Sequence, residues 1–426
     1  MKNVNITVLK NGITVASSSI ADAESVSIGI WAGAGGRHEP AAQSGISHFL
    51  EHMLFKGTTT RSALQISQAI EGRGGYLNAF TQEESTCYYA RIPYEFLQQA
   101  VDVLTDMYIN ASIKQDDLNR ERAVIIEEIK MYQDQPQAYV QELFQEALFT
   151  NHALGRPLAG SEKTLAHLNQ AELQAYRQKA YAPSATVVAF AGRLDHDSCV
   201  AAVEASLGNV KKDKGLRFKP TDGKTPQRAF VSAQKEIAQV QAVAGFRIFG
   251  RHDDRRYALR VLNGLLGENM SSRLFQSVRE RNGLCYSINS AYQLFTETGV
   301  FAISGGFDSQ RAEAALTLTA KELRKIMDKP ISAAELKRTK DYLLGTFRLG
   351  LEGTGNQMLL LGESVLNFGR VIRPEETIAG IQAVTVADIQ QLANDIFNPT
   401  RLTLALVTPT HQPQTQEKWL QTFSVL

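Results

Sequence analysis

The first half of the chain carries two different spacings of apolar residues. Alternating apolar and polar positions predict strands at 4–8, 13–15 and 26–31, the first two joined by a two-residue turn near Asn11 and Gly12. Apolar positions three and four apart predict helices from about 44 and at 64–70, 95–110 and 115–134, with two strands within 76–92. Strand and helix patterns therefore follow one another in a definite order.

The second half repeats that order. The pattern predicts a strand at 240–247, helices at 256–266 and 272–281, two strands within 286–304 and a helix at 312–327. Residues 208–228 carry turn formers and charge but little apolar periodicity, which indicates a linker. We therefore expect an internal duplication, with domains at 1–207 and 229–426 joined by linker 208–228.

Composition narrows the class of protein. At 426 residues the chain is long for one ordinary core, in agreement with two domains. The 45 basic and 44 acidic residues give a formal net charge of +1, so there is no electrostatic argument for nucleic acid or for an anionic membrane. No stretch is apolar enough to span a bilayer and no targeting signal is evident, so we expect a cytoplasmic protein.

The three cysteines do not suggest a disulfide or a thiolate metal site. Cys87, Cys199 and Cys285 are odd in number and far apart, and no CxxC pair exists. We expect reduced thiols that are partly buried in strands and helices.

One helix of the first half carries an HxxEH motif. His48 and His52 are four residues apart and share a helix face, so both imidazoles can reach one ion. Glu51 lies at the edge of that face, where its carboxylate can touch a metal-bound water without ligating the metal. The motif reverses the common HExxH order and permits the same chemistry. Each histidine taken singly is better explained as a polar group on an amphipathic helix.

An open metal site needs a third protein ligand, with one position left for water. The helix at 115–134 offers Glu121, Glu127 and Glu128. Glu121 and Glu128 are seven apart and share a face, whereas Glu127 is rotated by about 100°. We assign Glu128 as the ligand and Glu121 as the residue that orients a histidine. A solvated glutamate face is the plain alternative. A His₂Glu set fits one Zn²⁺ per chain best.

These residues closely resemble the pitrilysin-type inverzincins, the insulinase family, and among them the bacterial zinc peptidases that are similar to mitochondrial processing peptidase. His48–Thr58 resembles the metal motif of that family, and Glu121–Glu128 the segment with its distal glutamate. Glu128 follows His52 by 76 positions (128 − 52), which resembles the family offset and favours Glu128 over Glu127. The resemblance implies an α+β fold of two similar domains, each a mixed sheet backed by helices.

Two further segments resemble the substrate contacts of the family. Leu77–Thr81 resembles its edge strand, which implies that Asn78, Ala79 and Phe80 bind an extended peptide by strand addition. The segment at 272–286 resembles the stretch that supplies an Arg/Tyr pair, which implies that Arg279 and Tyr286 contact the substrate. A turn asparagine, a surface charge and a strand aromatic are the plain alternatives for Asn78, Arg279 and Tyr286.

The implied activity is zinc-dependent endopeptidase cleavage of peptides or unfolded polypeptides inside a closed chamber. Glu51 is expected to take a proton from the water and deliver it to the leaving amine, while Tyr286 or Arg279 stabilises the oxyanion. The alternatives are a non-catalytic subunit and a heterodimer in which another chain supplies the Arg/Tyr pair. Because both motifs occur in one chain, a homodimer is favoured. Glycines 350, 353 and 355 indicate a helix break rather than a mobile substrate loop.

Overall fold

The computed structural model describes residues 3–223, 227–409 and 416–426. The chain divides into two compact units, each assembled from three segments. The first unit comprises Met1–Ile129, Arg156–Lys219 and Phe347–Pro374. The second comprises Lys130–Gly155, Pro220–Thr346 and Glu375–Leu426.

Eleven strands and fifteen α-helices are formed within the described residues. The strands are β1 (Asn3–Val8), β2 (Thr14–Ser19), β3 (Ser25–Ala32), β4 (Tyr76–Thr81), β5 (Thr86–Pro93), β6 (Thr186–Gly192), β7 (Ala229–Lys235), β8 (Gln239–Phe249), β9 (Cys285–Leu294), β10 (Thr298–Asp308) and β11 (Thr403–Pro409). The helices are α1 (Ile46–Leu54), α2 (Ala63–Ile70), α3 (Leu97–Asn110), α4 (Gln115–Asp134), α5 (Pro136–Leu148), α6 (Glu162–His167), α7 (Gln170–Ala180), α8 (His196–Leu207), α9 (Arg256–Leu266), α10 (Ala312–Asp328), α11 (Ala333–Gly350), α12 (Thr354–Phe368), α13 (Pro374–Ala383), α14 (Val386–Ile396) and α15 (Gln416–Gln421).

Each unit is built on one mixed sheet. The first sheet has the strand order β1-β2-β6-β3-β5-β4, and the second has the order β7-β11-β8-β10-β9. In the first sheet only β2 and β6 run parallel, and in the second only β7 and β11 do. Apart from the extra strand β1, the two sheets therefore have the same topology. The expected pair of similar α+β domains is confirmed, and α9 follows β8 as α1 follows β3.

Both faces of each sheet are covered by helices. In the first unit α3 and α8 pack on one face, and α12 packs on the other against β2, β3 and β6. In the second unit α9, α10 and α14 cover one face, while α5 covers the other against β7, β8 and β11. Strands such as β6, which is buried along its whole length, need such cover on both sides.

The covering helices α5 and α12 come from the opposite half of the sequence. Helix α12 approaches the first sheet closely, since a Cβ added at Gly362 would lie 2.4 Å from the ring of Trp31. The domain bounds 1–207 and 229–426, with a linker at 208–228, stay a prediction. In the compact units, α5 belongs to the second unit and α12 to the first. The apolar pattern marks which helix face is buried and not which sheet it covers.

Three local expectations are corrected or refined. The first hairpin turn has three residues rather than two, because the Leu9 N–H donates to the Ile13 carbonyl across Lys10–Gly12. The helix expected at 272–281 is π-helical over Phe275–Arg281. The predicted linker is packed on the first unit up to Lys219, with the ring of Phe218 lying 3.9 Å from the Arg37 guanidinium, and residues 224–226 lie outside the described residues.

Other expectations agree with the structure. The three cysteines are free, two of them buried, and the glycines from 350 to 355 mark a break between α11 and α12. Among the described residues, every helix is too short or too polar to cross a membrane.

Candidate metal centre

Helix α1 presents the HxxEH motif on its outward face. Phe49, Leu50 and Met53 are fully buried against the core of the first unit, which leaves His48, Glu51 and His52 half-buried on the opposite side. The helix starts after Gly45, whose φ of +95° and close approach to the Ala159 carbonyl exclude a side chain.

A remote carboxylate caps this helix. The backbone N–H groups of Gly45 and Ser47 each donate to a different oxygen of Glu39, both at 2.8 Å. Burial raises the pKa of the Glu39 carboxyl to about 7, and the two backbone bonds offset part of that rise. Sequence reasoning missed Glu39 because the spacing of six to eight residues matches no local capping motif.

The three expected metal ligands converge. Glu128 Oε2 lies 3.8 Å from His48 Nε2 and 3.6 Å from His52 Nε2, and the three donor atoms all lie within 4.8 Å of one another. Zinc bonds of 2.0–2.1 Å in a tetrahedron place ligand atoms about 3.3 Å apart, so small side-chain shifts would close the set. In the described part of the chain this is the only such group of metal-ligating side chains.

The protonation state of His48 suits a metal. Burial, together with the neighbouring His52, lowers the pKa of the His48 imidazole to about 4. A neutral imidazole is the form that ligates a metal. Two imidazole nitrogens and one carboxylate oxygen leave a coordination position for water, which is the donor set of catalytic rather than structural zinc sites.

Glu121 lies behind His52. Its Oε2 is 3.2 Å from His52 Nδ1, which directs Nε2 of that ring towards Glu128. Its Oε1 pairs with Lys56 Nζ at 2.7 Å. The contact between Glu121 and His52 was expected from the sequence, and the role of Glu121 in orienting a metal ligand stays a prediction. Sequence reasoning missed Lys56, which lies just beyond the end of α1.

Glu51 is held by a residue that sequence reasoning had placed on the edge strand without a role. The Thr81 hydroxyl donates to Glu51 Oε2 at 2.5 Å. Burial raises the pKa of the Glu51 carboxyl, while the bond from Thr81 acts in the opposite direction. A carboxyl with a raised pKa is a better proton acceptor when ionised, as a general base requires.

The strand expected to bind peptide lies at the edge of its sheet. In the antiparallel pairing of β4 with β5, the N–H and C=O groups of alternate residues point away from the sheet, here those of Leu77, Ala79 and Thr81. The Ala79 N–H donates to the side chain of Asn78 at 2.8 Å. Asn78 thus lies within a strand and not in a turn. The backbone groups of Phe80 face β5, so only its side chain is available to a ligand.

The structure brings Arg279 and Tyr286 together in the second unit. The guanidinium of Arg279 lies 4.6 Å from the ring centroid of Phe275 and 5.0 Å from that of Tyr286. Tyr286 is the second residue of the edge strand β9, and 78% of its surface is exposed. Their contact with a substrate stays a prediction.

Comparisons with known proteins show the family of the chain. Residues 14–162 match the insulinase (peptidase family M16) domain, and residues 167–343 match the peptidase M16 inactive domain. The chain belongs to the insulinase family, peptidase family M16. The match to an inactive domain suits α9, where Arg260 to Gly264 stand at the place of the HxxEH motif.

Relatives of this insulinase-family chain are named as zinc proteases. An uncharacterized zinc protease of Mycobacterium tuberculosis is 38% identical over 397 residues, which cover 92% of this chain and 90% of the relative. An uncharacterized zinc protease of Bacillus subtilis is 36% identical over 401 residues, 94% of this chain and 97% of the relative.

Solved structures share the fold. A protease from Helicobacter pylori superimposes with a TM-score of 0.91 at 20% identity, covering 96% of this chain and 99% of the other. A chain of Complex III2 from Candida albicans gives a TM-score of 0.85 at 19% identity, covering 99% and 100%.

Proposed function

We propose that this insulinase-family protein is a zinc-dependent endopeptidase that cleaves extended peptides, with Glu51 as the general base. The observation that carries the proposal is the convergence of His48, His52 and Glu128 beside the carboxylate of Glu51. Within the described residues three side chains form the metal-binding group, next to a carboxyl group with a raised pKa. This arrangement favours catalysis over a structural role.

Each residue of the site has its own role in the proposed reaction. A zinc ion bound by the three ligands would polarise the peptide carbonyl and make an attacking water more acidic. Glu51 accepts the proton of that water and passes it to the leaving amine. The outward groups of β4 pair with the peptide backbone and align its scissile bond, while Glu121 keeps His52 in its orientation.

The remaining expectations are part of the same proposal. Arg279 and Tyr286 contact the substrate and stabilise the oxyanion, inside a chamber that closes around the peptide. Because one chain carries both the metal ligands and the Arg/Tyr pair, we propose a homodimer in the cytoplasm. Sedimentation of the purified protein would test the homodimer, and an inactive protein that gains activity with a second chain would favour the heterodimer instead.

The proposal is tested with four proteins: the wild type and the variants Glu51→Gln, Glu128→Gln and Glu127→Gln. Bound zinc is measured by elemental analysis, and activity by cleavage of a quenched fluorescent peptide library. Glu51→Gln should keep its zinc and lose activity by about 10²–10⁴-fold, the usual contribution of a general base. Glu128→Gln should lose both.

Glu127→Gln is the matched control, because it changes the exposed neighbour of the ligand on the same helix. It should keep both zinc and activity. A folded wild type that binds no zinc, or one that binds zinc and cleaves no peptide, would overturn the proposal.

A further inference from the structure

Thr81 is the side chain that holds the proposed base. Within the described residues, its hydroxyl makes the hydrogen bond to the Glu51 carboxylate, at 2.5 Å from Oε2. Thr81 ends β4, the edge strand whose outward groups face a prospective peptide. One residue therefore touches the base through its side chain and belongs to the peptide-binding edge through its backbone.

The backbone around Thr81 is fixed from the other side. Directly after it, the carbonyls of Gln82 and Glu83 accept the N–H groups of Gly36 and Arg37 at 3.1 and 2.7 Å. A Cβ at Gly35 would lie 2.0 Å from the Gln82 carbonyl, so the two segments are in close contact. The hydroxyl of Thr81 is thus presented by a strand end with little freedom to move.

A carboxylate bound through one oxygen has a defined orientation. Oε2 of Glu51 accepts the hydrogen bond from the Thr81 hydroxyl, which restricts rotation about the last side-chain bond. Oε1 is left to take up a proton from water. Without that bond the half-buried carboxylate would sample other orientations, because the remaining described contacts of Glu51 are electrostatic. Positioning of this kind is worth about 10²-fold in rate for a displacement of about 1 Å.

We propose that Thr81 is a positioning residue, which orients the Glu51 carboxylate from the same strand that pairs with the substrate. The inference rests on the proposed peptidase function. One strand, β4, would then align both the peptide and the Glu51 base.

The test compares Thr81→Val, which replaces the hydroxyl by a methyl group of similar shape, with Thr81→Ser, which keeps the hydroxyl. We expect Thr81→Val to lower kcat by about 10–100-fold while KM and zinc content stay unchanged. Thr81→Ser should retain kcat within a few-fold. Thr86→Val is the control, because Thr86 pairs with Thr81 across the hairpin but donates to the Ala34 carbonyl instead.

Crystal structures of the metal-free variants give a second, activity-independent result. The Glu51 side chain should keep one orientation in the wild type and in Thr81→Ser and become disordered in Thr81→Val. An ordered Glu51 in Thr81→Val, or equal kcat losses for the valine and serine variants or for Thr86→Val, would overturn the inference. If the wild type cleaves no peptide, the proposed function fails, and the crystallographic comparison still decides the role of Thr81.

Discussion

Replacing Glu121 by glutamine should weaken zinc binding without removing a ligand. Glu121 is only 6% exposed and uses both oxygens, Oε2 towards His52 Nδ1 and Oε1 towards Lys56 Nζ. Glutamine has one acceptor oxygen, so its amide NH₂ would face one of these two donors. In Glu121→Gln either the histidine or the lysine loses its partner and meets another donor.

The expected magnitude follows from the position of the contact. Among the described residues Glu121 pairs with His52 and with neither of the other two proposed ligands, so those two should stay in place. Loss of a carboxylate behind a ligating histidine lowers metal affinity by about 10–100-fold, which corresponds to about 1.4–2.7 kcal/mol. The fold should change less, because the side chain of Lys56 is 35% exposed and can turn towards water.

Competition with a chromophoric chelator at fixed pH measures the zinc Kd of the wild type and of Glu121→Gln. Glu127→Gln is the control on the same helix, with an unchanged Kd expected. Equal zinc affinity of Glu121→Gln and the wild type would refute the view that Glu121 holds His52 for the metal. An equal loss in Glu127→Gln would attribute the effect to the charge of the helix as a whole.

Two further predictions concern the cap of α1 and the edge strand. Because burial raises the pKa of Glu39 from 4.5 to about 7, the native state binds a proton that the unfolded chain has released, and the group loses its stabilising contribution as the pH rises from about 4.5 to about 7. Glu39→Gln cannot titrate, so between these limits its unfolding free energy relative to the wild type should rise by about 3.5 kcal/mol, 2.5 pH units at about 1.4 kcal/mol each. Denaturant unfolding of both metal-free proteins at pH 4.5 and pH 8 measures this difference, and a pH-independent difference would contradict the prediction. Ala79→Pro removes an N–H that points away from the sheet, so it should cause little loss of stability. It should raise KM by about 10-fold or more, because one backbone hydrogen bond to the peptide is left unmade. Phe80→Pro, which removes an N–H directed at β5, should instead destabilise the fold, and an unchanged KM in Ala79→Pro would argue against strand addition.

Much of the local structure could be predicted from apolar spacing. The helices expected at 115–134 and 256–266 have those bounds in the structure, and the two strands within 76–92 are β4 and β5. Each of these elements buries one continuous face, so the spacing of its apolar residues follows the period of a helix or a strand and can be recognised in the sequence. The face-sharing rule also selected Glu121 and Glu128 over Glu127, which is exposed.

The contacts that sequence reasoning missed join residues far apart in the chain. Thr81 meets Glu51 thirty positions away, and Glu39 caps a helix that begins seven residues later. Helices α5 and α12 likewise pack on sheets whose strands are far from them in the sequence. Local spacing determines which face of an element is buried, but the partner of that face depends on how the whole chain packs.

The two copies of the fold differ in their polar residues while they share the same packing. Each sheet and its helices are held by tens of buried apolar residues, whereas the metal set needs only a few half-buried polar ones. Helix α9 therefore packs on its sheet without such a polar set. The two helices α9 and α1 also differ in the carboxylate at their N-terminal ends. The N–H of Arg255, which precedes α9, donates to Asp253, whose pKa is lowered mainly by its bonds to the Arg255 side chain.

Helix α1 instead starts on Glu39, a fully buried carboxylate whose pKa burial raises to about 7. Such a cap stabilises the fold less at neutral pH than an exposed one would, since its charged form is poorly solvated. It does fix the first turn of α1 from inside the protein, one residue before His48. The copy that carries the proposed metal ligands thus has the electrostatically less favourable helix start, as expected where ligand position, rather than folding stability, is the property that matters.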